Sequence, residues 1–351
     1  MRRVLLYESG TSGHRPVILR YLVEGLREVG WEPVVFSDPQ YSLLRSSDLK
    51  SIEAEADRQC CEVIHLLTID GCARRWLSPR AWGEKRRVPI VATYYLFSNL
   101  WGLKGLAWVL AYWFGYYDII LVSDPSLDRR CLIPSLRRKI KFTPDPWRET
   151  EFPFISQHEA RIRLNLPEDK RLILVFGAIS QHKGITRILS ALRLVKSTDF
   201  CVLLAGRISL DARDDIGLAL ADPFLSQRLI VRDCYIPEEE VSCYFYACDA
   251  SVSDYPKQFK VSSGVFTRVL AARRIPIVPS HGVNAEVVRR MKYGYLYRSE
   301  SISDLAAAID NFLTQKGSFD HHAVDRESRA REHGQFIRST GAVYNSLVYD
   351  K

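Results

Sequence analysis

The stretch "LILVFGAISQHKGITRILSAL" at 172–192 decides how the rest of the chain reads. Five apolar residues run without alternation into Gly177, the pattern of a strand buried on both faces of a parallel sheet. A short polar loop follows, and Lys183-Gly184 opens a run with helical spacing. Strand, glycine turn and helix make up the repeating unit of a doubly wound α/β fold, where ligands gather at the carboxyl ends of strands.

Outward from that stretch the same kind of run recurs, in two series. The first is "VLLYES" (4–9), "PVVFSD" (33–38), "EVIHLL" (62–67), "VPIVATYY" (88–95), "IILVSD" (119–124) and "KIKFTPDP" (139–146). The second adds to 172–177 the runs "CVLLAG" (201–206), "LIVRDC" (229–234), "ASVSDY" (250–255), "IPIVPS" (275–280) and "YGYLY" (293–297). Helical spacing lies between them at 16–29, 184–195, 238–248, 265–273 and 303–314, and "REHGQFIRSTGAVYNSLVYD" (331–350) reads as a terminal helix. Two series predict two Rossmann-like doubly wound domains facing a central crevice, at 1–155 and 156–330.

Composition sets outer bounds. The chain has 351 residues, 47% hydrophobic and 26% charged, enough for two ordinary domains. Its eight cysteines form no C-x-x-C pair and no zinc-like spacing, so reduced thiols and a cytoplasmic location are expected. The opening "MRRVLLYESG" has too short an apolar run for a signal peptide and reads as a first strand. A net charge of +8 suits an anionic partner without choosing one, although scattered basic residues and the lack of a recognition motif argue against nucleic acid.

Two loops besides 177–183 carry chemistry. "ESGTSGHRP" (8–16) brings Gly10, Ser12, Gly13 and His14 to the start of a helix, without the spacing of a dinucleotide fingerprint. It reads equally as an anion-binding turn or a plain one capped by Ser12. "KVSSGVFTRVLAARRIPIV" (260–278) places Ser262, Ser263 and Gly264 at a helix start, with Lys257 and Lys260 before them. Open amides, hydroxyls and a glycine that permits close approach make a credible diphosphate cradle through Ser262, Ser263, Gly264 and Val265. The plainer alternative is an ordinary capped helix, and a lone Lys183 is as often a solvated side chain.

Taken in order, 172–192, "LIVRDCYIPEEEVSCYFYACDASVSDYP" (229–256) and "SSGVFTRVLAARRIPIVPSHGVNAEVV" (262–288) resemble the donor-binding half of the retaining glycosyltransferases with the GT-B fold, the family-4 (group 1) set. The ending resembles the helix that in these enzymes crosses back to the first domain, and "SGHRPVILRYLVEGLREVGWEPVVFS" (12–37) resembles the acceptor side more weakly.

The resemblance implies transfer of a sugar from a nucleotide-diphosphate sugar to an acceptor hydroxyl, with retention, no metal and no cofactor. It implies that Lys183 and Gly13 join the diphosphate cradle, that Lys183 and His14 are catalytic, and that Tyr235, Ile236 and Arg268 border the base and ribose. Gly10, Ser12, Tyr94 and Tyr95 fall on the acceptor side. This chain also departs from the family pattern. Val261 and Val269 stand where members commonly carry glutamates, Ala178 stands for an arginine and Tyr95 for a histidine. Candidate replacements are Lys260, Thr267 and Arg268 for the carboxylates, and Arg207, Lys257 and Lys260 for the cation. A nucleotide-sugar epimerase on the same fold, or a nucleotide-sugar-binding protein that has lost turnover, remains an alternative.

The aromatic stretch "SNLWGLKGLAWVLAYWFGYYD" (98–118) follows a basic segment at 73–87. Lys104 and three glycines make it a poor spanning helix. It reads as a core helix, with peripheral contact to the inner membrane surface through 73–118 as the functional alternative.

Overall fold

The computed structural model describes residues 1–8, 15–36, 46–69, 88–95, 103–125, 127, 131–315 and 319–349. The chain divides into two compact units, 1–146 with 333–351, and 147–332.

In the first unit six strands, β1 (Arg2–Tyr7), β2 (Trp31–Phe36), β3 (Val63–Leu66), β4 (Ile90–Tyr94), β5 (Ile119–Val122) and β6 (Ile140–Phe142), form one parallel sheet in the order β2-β1-β3-β4-β5-β6. Alternation along each strand feeds two apolar layers. Leu5, Tyr7, Ile64, Leu66, Ile120 and Val122 face one side, with Leu49 and Ile52 of helix α2 (Ser46–Arg58), Ala111 of α3 (Leu103–Trp113) and Leu136 of α4 (Pro134–Arg137). Val4, Leu6, Val63, Ile119 and Leu121 face the other, with Ile18 and Leu22 of α1 (Arg15–Gly25). Both faces are covered over the central strands, which is why β3, β4 and β5 are buried at every position.

In the second unit β7 (Arg171–Phe176), β8 (Phe200–Ala205), β9 (Leu229–Arg232), β10 (Ala250–Val252), β11 (Ile275–Pro279) and β12 (Tyr295–Tyr297) form a second parallel sheet. Its order is β12-β11-β10-β7-β8-β9, the doubly wound arrangement whose switch point lies between β10 and β7. Its helices are α5 (Gln157–Arg163), α6 (Ile185–Leu192), α7 (Arg213–Ala221), α8 (Pro223–Ser226), α9 (Glu238–Ala247), α10 (Gly264–Ala271), α11 (Gly282–Met291), α12 (Ile302–Leu313) and α13 (His321–Ala330). Ile173, Val175, Val202 and Leu204 pack against α6, α7 and α12, while Leu172, Leu174 and Leu203 pack against α5, α9 and α10.

The sequence reading placed the domain boundary at 155; the structure moves it to 146. Phe152 and Ile155 are buried in the core of the second unit with Phe245 and Tyr246, and Trp147 donates from Nε1 to the Ser328 carbonyl at 3.0 Å. The aromatic anchors of 147–155 have their partners there.

The last helix, α14 (His333–Tyr349), belongs to the first unit. Phe336, Ile337 and Tyr344 complete the layer formed by α1. Gly25 and Gly341 let the backbones close up, because a Cβ on either would meet Ile337 or Val29 under 3 Å. A buried polar bridge fixes the docking. His65 on β3 hydrogen-bonds Tyr344 through Nδ1 at 2.6 Å and Thr93 through Nε2 at 2.7 Å.

Burial pushes the His65 pKa down to about 3. Because the folded value lies below the unfolded one near 6.5, the unfolded chain binds the extra proton between the two, so stability rises with pH across that window and is complete above it. Acidification from pH 7 to 5 should cost about 2 kcal/mol through this residue. Urea midpoints at the two pH values measure it, and His65→Gln should flatten the difference.

Candidate functional site

The switch point of the second sheet gathers two loops. The first leaves β7 through Gly177, whose φ of 95° lies in the left-handed region, and reaches α6 through Lys183 and Gly184. The Gly177 amide donates to Ala205 at 2.9 Å and Ile179 to Arg207 at 2.9 Å, so the loop is strapped to the end of β8. Lys183 folds back over Gly177: its Nζ lies 3.0 Å from where a Cβ on that glycine would stand. Half-buried, Lys183 has no carboxylate within ion-pair distance among the described residues, and burial lowers its pKa from the ordinary lysine value.

The second loop leaves β10 and turns into α10. Tyr255 stacks on Phe259 with ring centroids 4.1 Å apart, and its hydroxyl shares a hydrogen bond with the Ser263 hydroxyl at 2.9 Å. Ser263 occupies the N-cap position of α10, yet with its hydroxyl engaged by Tyr255 it caps no amide. The Ser262 Oγ is fully buried and has no partner among the described residues. Gly264, the first helical residue, is exposed. The start of α10 is thus uncapped, with an orphaned hydroxyl and an exposed glycine beside it among the described residues.

Asp254 joins the two loops. Buried at 1% exposure, it accepts from Arg187 Nε and, at 2.8 Å, from the Tyr297 hydroxyl; Arg187 Nη2 also donates to its carbonyl at 3.3 Å. Gly184, at φ 73°, lies so close that a Cβ there would come within 2.7 Å of the Asp254 Cβ. Asp254 therefore seats the start of α6, and with it Lys183. Burial raises its pKa, against the pull of Tyr297 and Arg187. Neither Asp254 nor its partners stood out in the sequence; the signal present was an acid directly after a strand at the switch point. Asp254→Ala should cost about 3 kcal/mol, because it strands the Arg187 guanidinium and the Tyr297 hydroxyl, and a urea melt measures this.

The other predicted residues divide. Arg207 is exposed, its guanidinium 6.0 Å from the ring of Tyr235, which is itself exposed, while Ile236 is buried. Arg268 pairs with Glu238 at 2.9 Å, tying α10 to the first turn of α9. Lys257 is engaged by Glu300 at 2.9 Å, whereas Lys260 is exposed with no carboxylate partner among the described residues. Val265 packs half-buried against the core that contains Val269, itself 2% exposed; Val261 is half-buried and Thr267 buried. Val269 thus fills apolar space in the core of the second unit.

In the first unit Gly10, Ser12, Gly13 and His14 lie outside the described residues, as do 73–87 and 96–102 of the basic and aromatic stretch. Tyr94 is buried in the core of the first unit, and the Tyr95 carbonyl accepts from Ser123 Oγ at 3.1 Å. The switch point here is β1/β3. Glu8, directly after β1 and 5% exposed, accepts from Thr68 Oγ1 at 2.6 Å, directly after β3. Asp124 is buried after β5. Both acids went unremarked in the sequence, although Glu8 follows the apolar residues of "VLLYES" and "IILVSD" ends in Asp124. Among the described residues no three histidines, cysteines or acids are grouped to hold a metal, and no helix is long and apolar enough to cross a membrane.

The family model described as "Glycosyl transferases group 1" matches residues 156–333. No curated protein matches the sequence significantly. Among solved structures the chain is similar to sucrose-phosphate synthase from Thermosynechococcus elongatus at 17% identity and TM-score 0.70, covering 100% of both chains. A glycosyltransferase from Rickettsia africae aligns at 14% identity and TM-score 0.73 over 100% of this chain and 99% of its own. Anabaena HepE, solved in complex with UDP and glucose, aligns at 13% identity and TM-score 0.67 over 99% of this chain and 100% of its own. At these identities the likeness is one of fold, and the fold is GT-B: two parallel six-stranded sheets, each flanked by helices.

Proposed function

Because the chain belongs to the group 1 glycosyltransferases, we propose that it moves a sugar from a nucleoside-diphosphate sugar to an acceptor hydroxyl, with retention of anomeric configuration and without a metal. The observation that carries this reading is Lys183: a half-buried amine without a carboxylate partner among the described residues, on the loop after β7, while the uncapped start of α10 follows the neighbouring strand β10. Complexes of HepE with UDP and with UDP-glucose support a nucleotide sugar as the donor class.

Transfer breaks the bond between the anomeric carbon and the diphosphate oxygen, and the electron pair leaves with the diphosphate. Lys183, the amides at Ser263, Gly264 and Val265, and the Ser262 hydroxyl stabilise that growing charge. The acceptor oxygen forms the new bond on the face the diphosphate leaves, and its proton passes to the departing phosphate oxygen. His14 orients the sugar or the acceptor. Tyr235 and Ile236 border the base, and Arg268, held by Glu238, borders the ribose; Gly13 joins the diphosphate cradle, and Gly10, Ser12 and Tyr95 belong to the acceptor side. Arg207 and Lys260 supply further positive charge at the rim.

Screening nucleotide sugars by thermal shift tests the reading. A true donor at 100 times its Kd adds about 2.7 kcal/mol of stability. Stabilisation by a nucleotide sugar followed by transfer supports it, with EDTA leaving the rate unchanged. Stabilisation without turnover on any acceptor favours the binding protein that has lost catalysis, for which the buried Val269 speaks; silence from all donors sinks both.

Donor binding should also take up protons on the alkaline side. Lys183 starts with a lowered pKa, and a bound diphosphate raises it again by favouring the charged form. Affinity is therefore full below the free-state pKa and falls as pH rises through the bound-state value. Titration calorimetry in buffers of differing ionisation heat reads the uptake directly; Lys183→Met should abolish it.

A further inference from the structure

The first unit carries a basic, apolar rim that the transfer chemistry leaves unused. Residues 131–142, "CLIPSLRRKIKF", hold Arg137, Arg138, Lys139 and Lys141 and no acid. None of the four has an ion-pair partner among the described residues. Arg137, Arg138 and Lys141 are exposed. Two apolar side chains flank them, Leu132 at 75% exposure and Phe142 at 36%.

The segment is well fixed from beneath. Leu136 and Ile140 are buried in the same core as Ala111 of α3, and the amides of Arg137 and Lys139 donate to Ile133 at 2.8 Å and Leu136 at 2.9 Å. β6 is the outer strand of its sheet, so its far edge pairs with no strand among the described residues. On that edge Ile140 points into the core, Lys141 to the opposite face and Phe142 back to the first, so charge and ring flank the rim from both sides. From the same layer α3 exposes Leu106 and Trp113, seven residues apart and so on one helix face.

The rim sets exposed cations beside two exposed apolar side chains, with Ser135 its one hydroxyl, a pairing suited to anionic head groups over an apolar layer. We propose that this rim docks the first unit on an anionic phospholipid surface, the cations meeting head groups while Leu132 and Phe142 enter the interface. This adds a docking site outside 73–118 and does not depend on the transfer reaction.

Flotation with vesicles of phosphatidylcholine, with and without phosphatidylglycerol, tests it on the full chain. Binding is expected only to the anionic vesicles and should weaken with salt. Each basic side chain near such a surface contributes about fivefold in affinity, so Arg137→Gln, Arg138→Gln and Lys141→Gln together should cost about a hundredfold. Leu132→Ser with Phe142→Ser should leave the salt dependence in place and lower the affinity at every salt concentration. Unchanged thermal midpoints confirm folding of these surface variants. No binding to anionic vesicles at low salt, full binding by the triple variant, or a preference for single-stranded RNA over lipid overturns the proposal.

Discussion

Lys183→Ala should slow sugar transfer at least tenfold while leaving the protein folded. A tenfold loss corresponds to about 1.4 kcal/mol of transition-state stabilisation. The loss should fall on kcat as well as on donor affinity, because charge on the diphosphate grows as the glycosidic bond breaks and the amine opposes that growth. Stability should hold, since Lys183 lies over Gly177 with its charge disfavoured by burial and without a carboxylate partner among the described residues. A transfer assay beside a thermal melt separates the two effects. An unchanged rate removes Lys183 from the mechanism.

Gly206→Ala should be the most damaging single methyl in the second unit. At φ 138° only glycine is comfortable, and a Cβ there would overlap the Gly177 carbonyl, coming within 2.6 Å of its carbon. The clash is with backbone, and both strands are pinned: Gly206 donates to Arg232 at 3.0 Å and Gly177 to Ala205 at 2.9 Å. A loss of about 3 kcal/mol or more is expected, which for a unit of this size lowers Tm by about 6–12 °C. Gly217→Ala is the control. It lies within α7 with nothing within 4 Å of its missing Cβ, and should stabilise by about 0.5–1 kcal/mol. Calorimetry on the pair would refute the account if the two changes were alike.

Much of the fold was legible because buried parallel strands leave an unmistakable trace. Every apolar run, from "VLLYES" to "YGYLY", contains a strand, and 184–195, 238–248, 265–273 and 303–314 each contain a helix. Of the helices that escaped, α11 did so although it buries Val283, Ala285, Val287, Val288 and Met291, while two others have little apolar periodicity to show. α13 buries only Ala323, Val324, Glu327 and Ser328, and α7 buries only Ile216 and Ala219. The Lys183 loop and the 262–264 turn were readable as candidate sites because glycines and small residues after a strand mark a ligand edge. Asp254 was not, because its meaning lies in three partners, Arg187, Tyr297 and Gly184, 67, 43 and 70 positions away. Lys257 illustrates the reverse error: a cation in the right place by sequence is held by Glu300 on another loop.

The return of α14 to the first unit has a consequence for the order of synthesis. The layer formed by Ile18, Leu22 and Val63 cannot close until Tyr344 has been made, whereas the second unit lies wholly within 147–332. At about 5–20 residues per second, the first unit waits roughly 10–40 s for its last helix while the second is translated. The C-terminal unit is thus the one able to finish first, and the nascent N-terminal sheet waits with one face covered by α1 but not yet by α14. That interval, more than the stability of the finished enzyme, is where a holdase chaperone would matter.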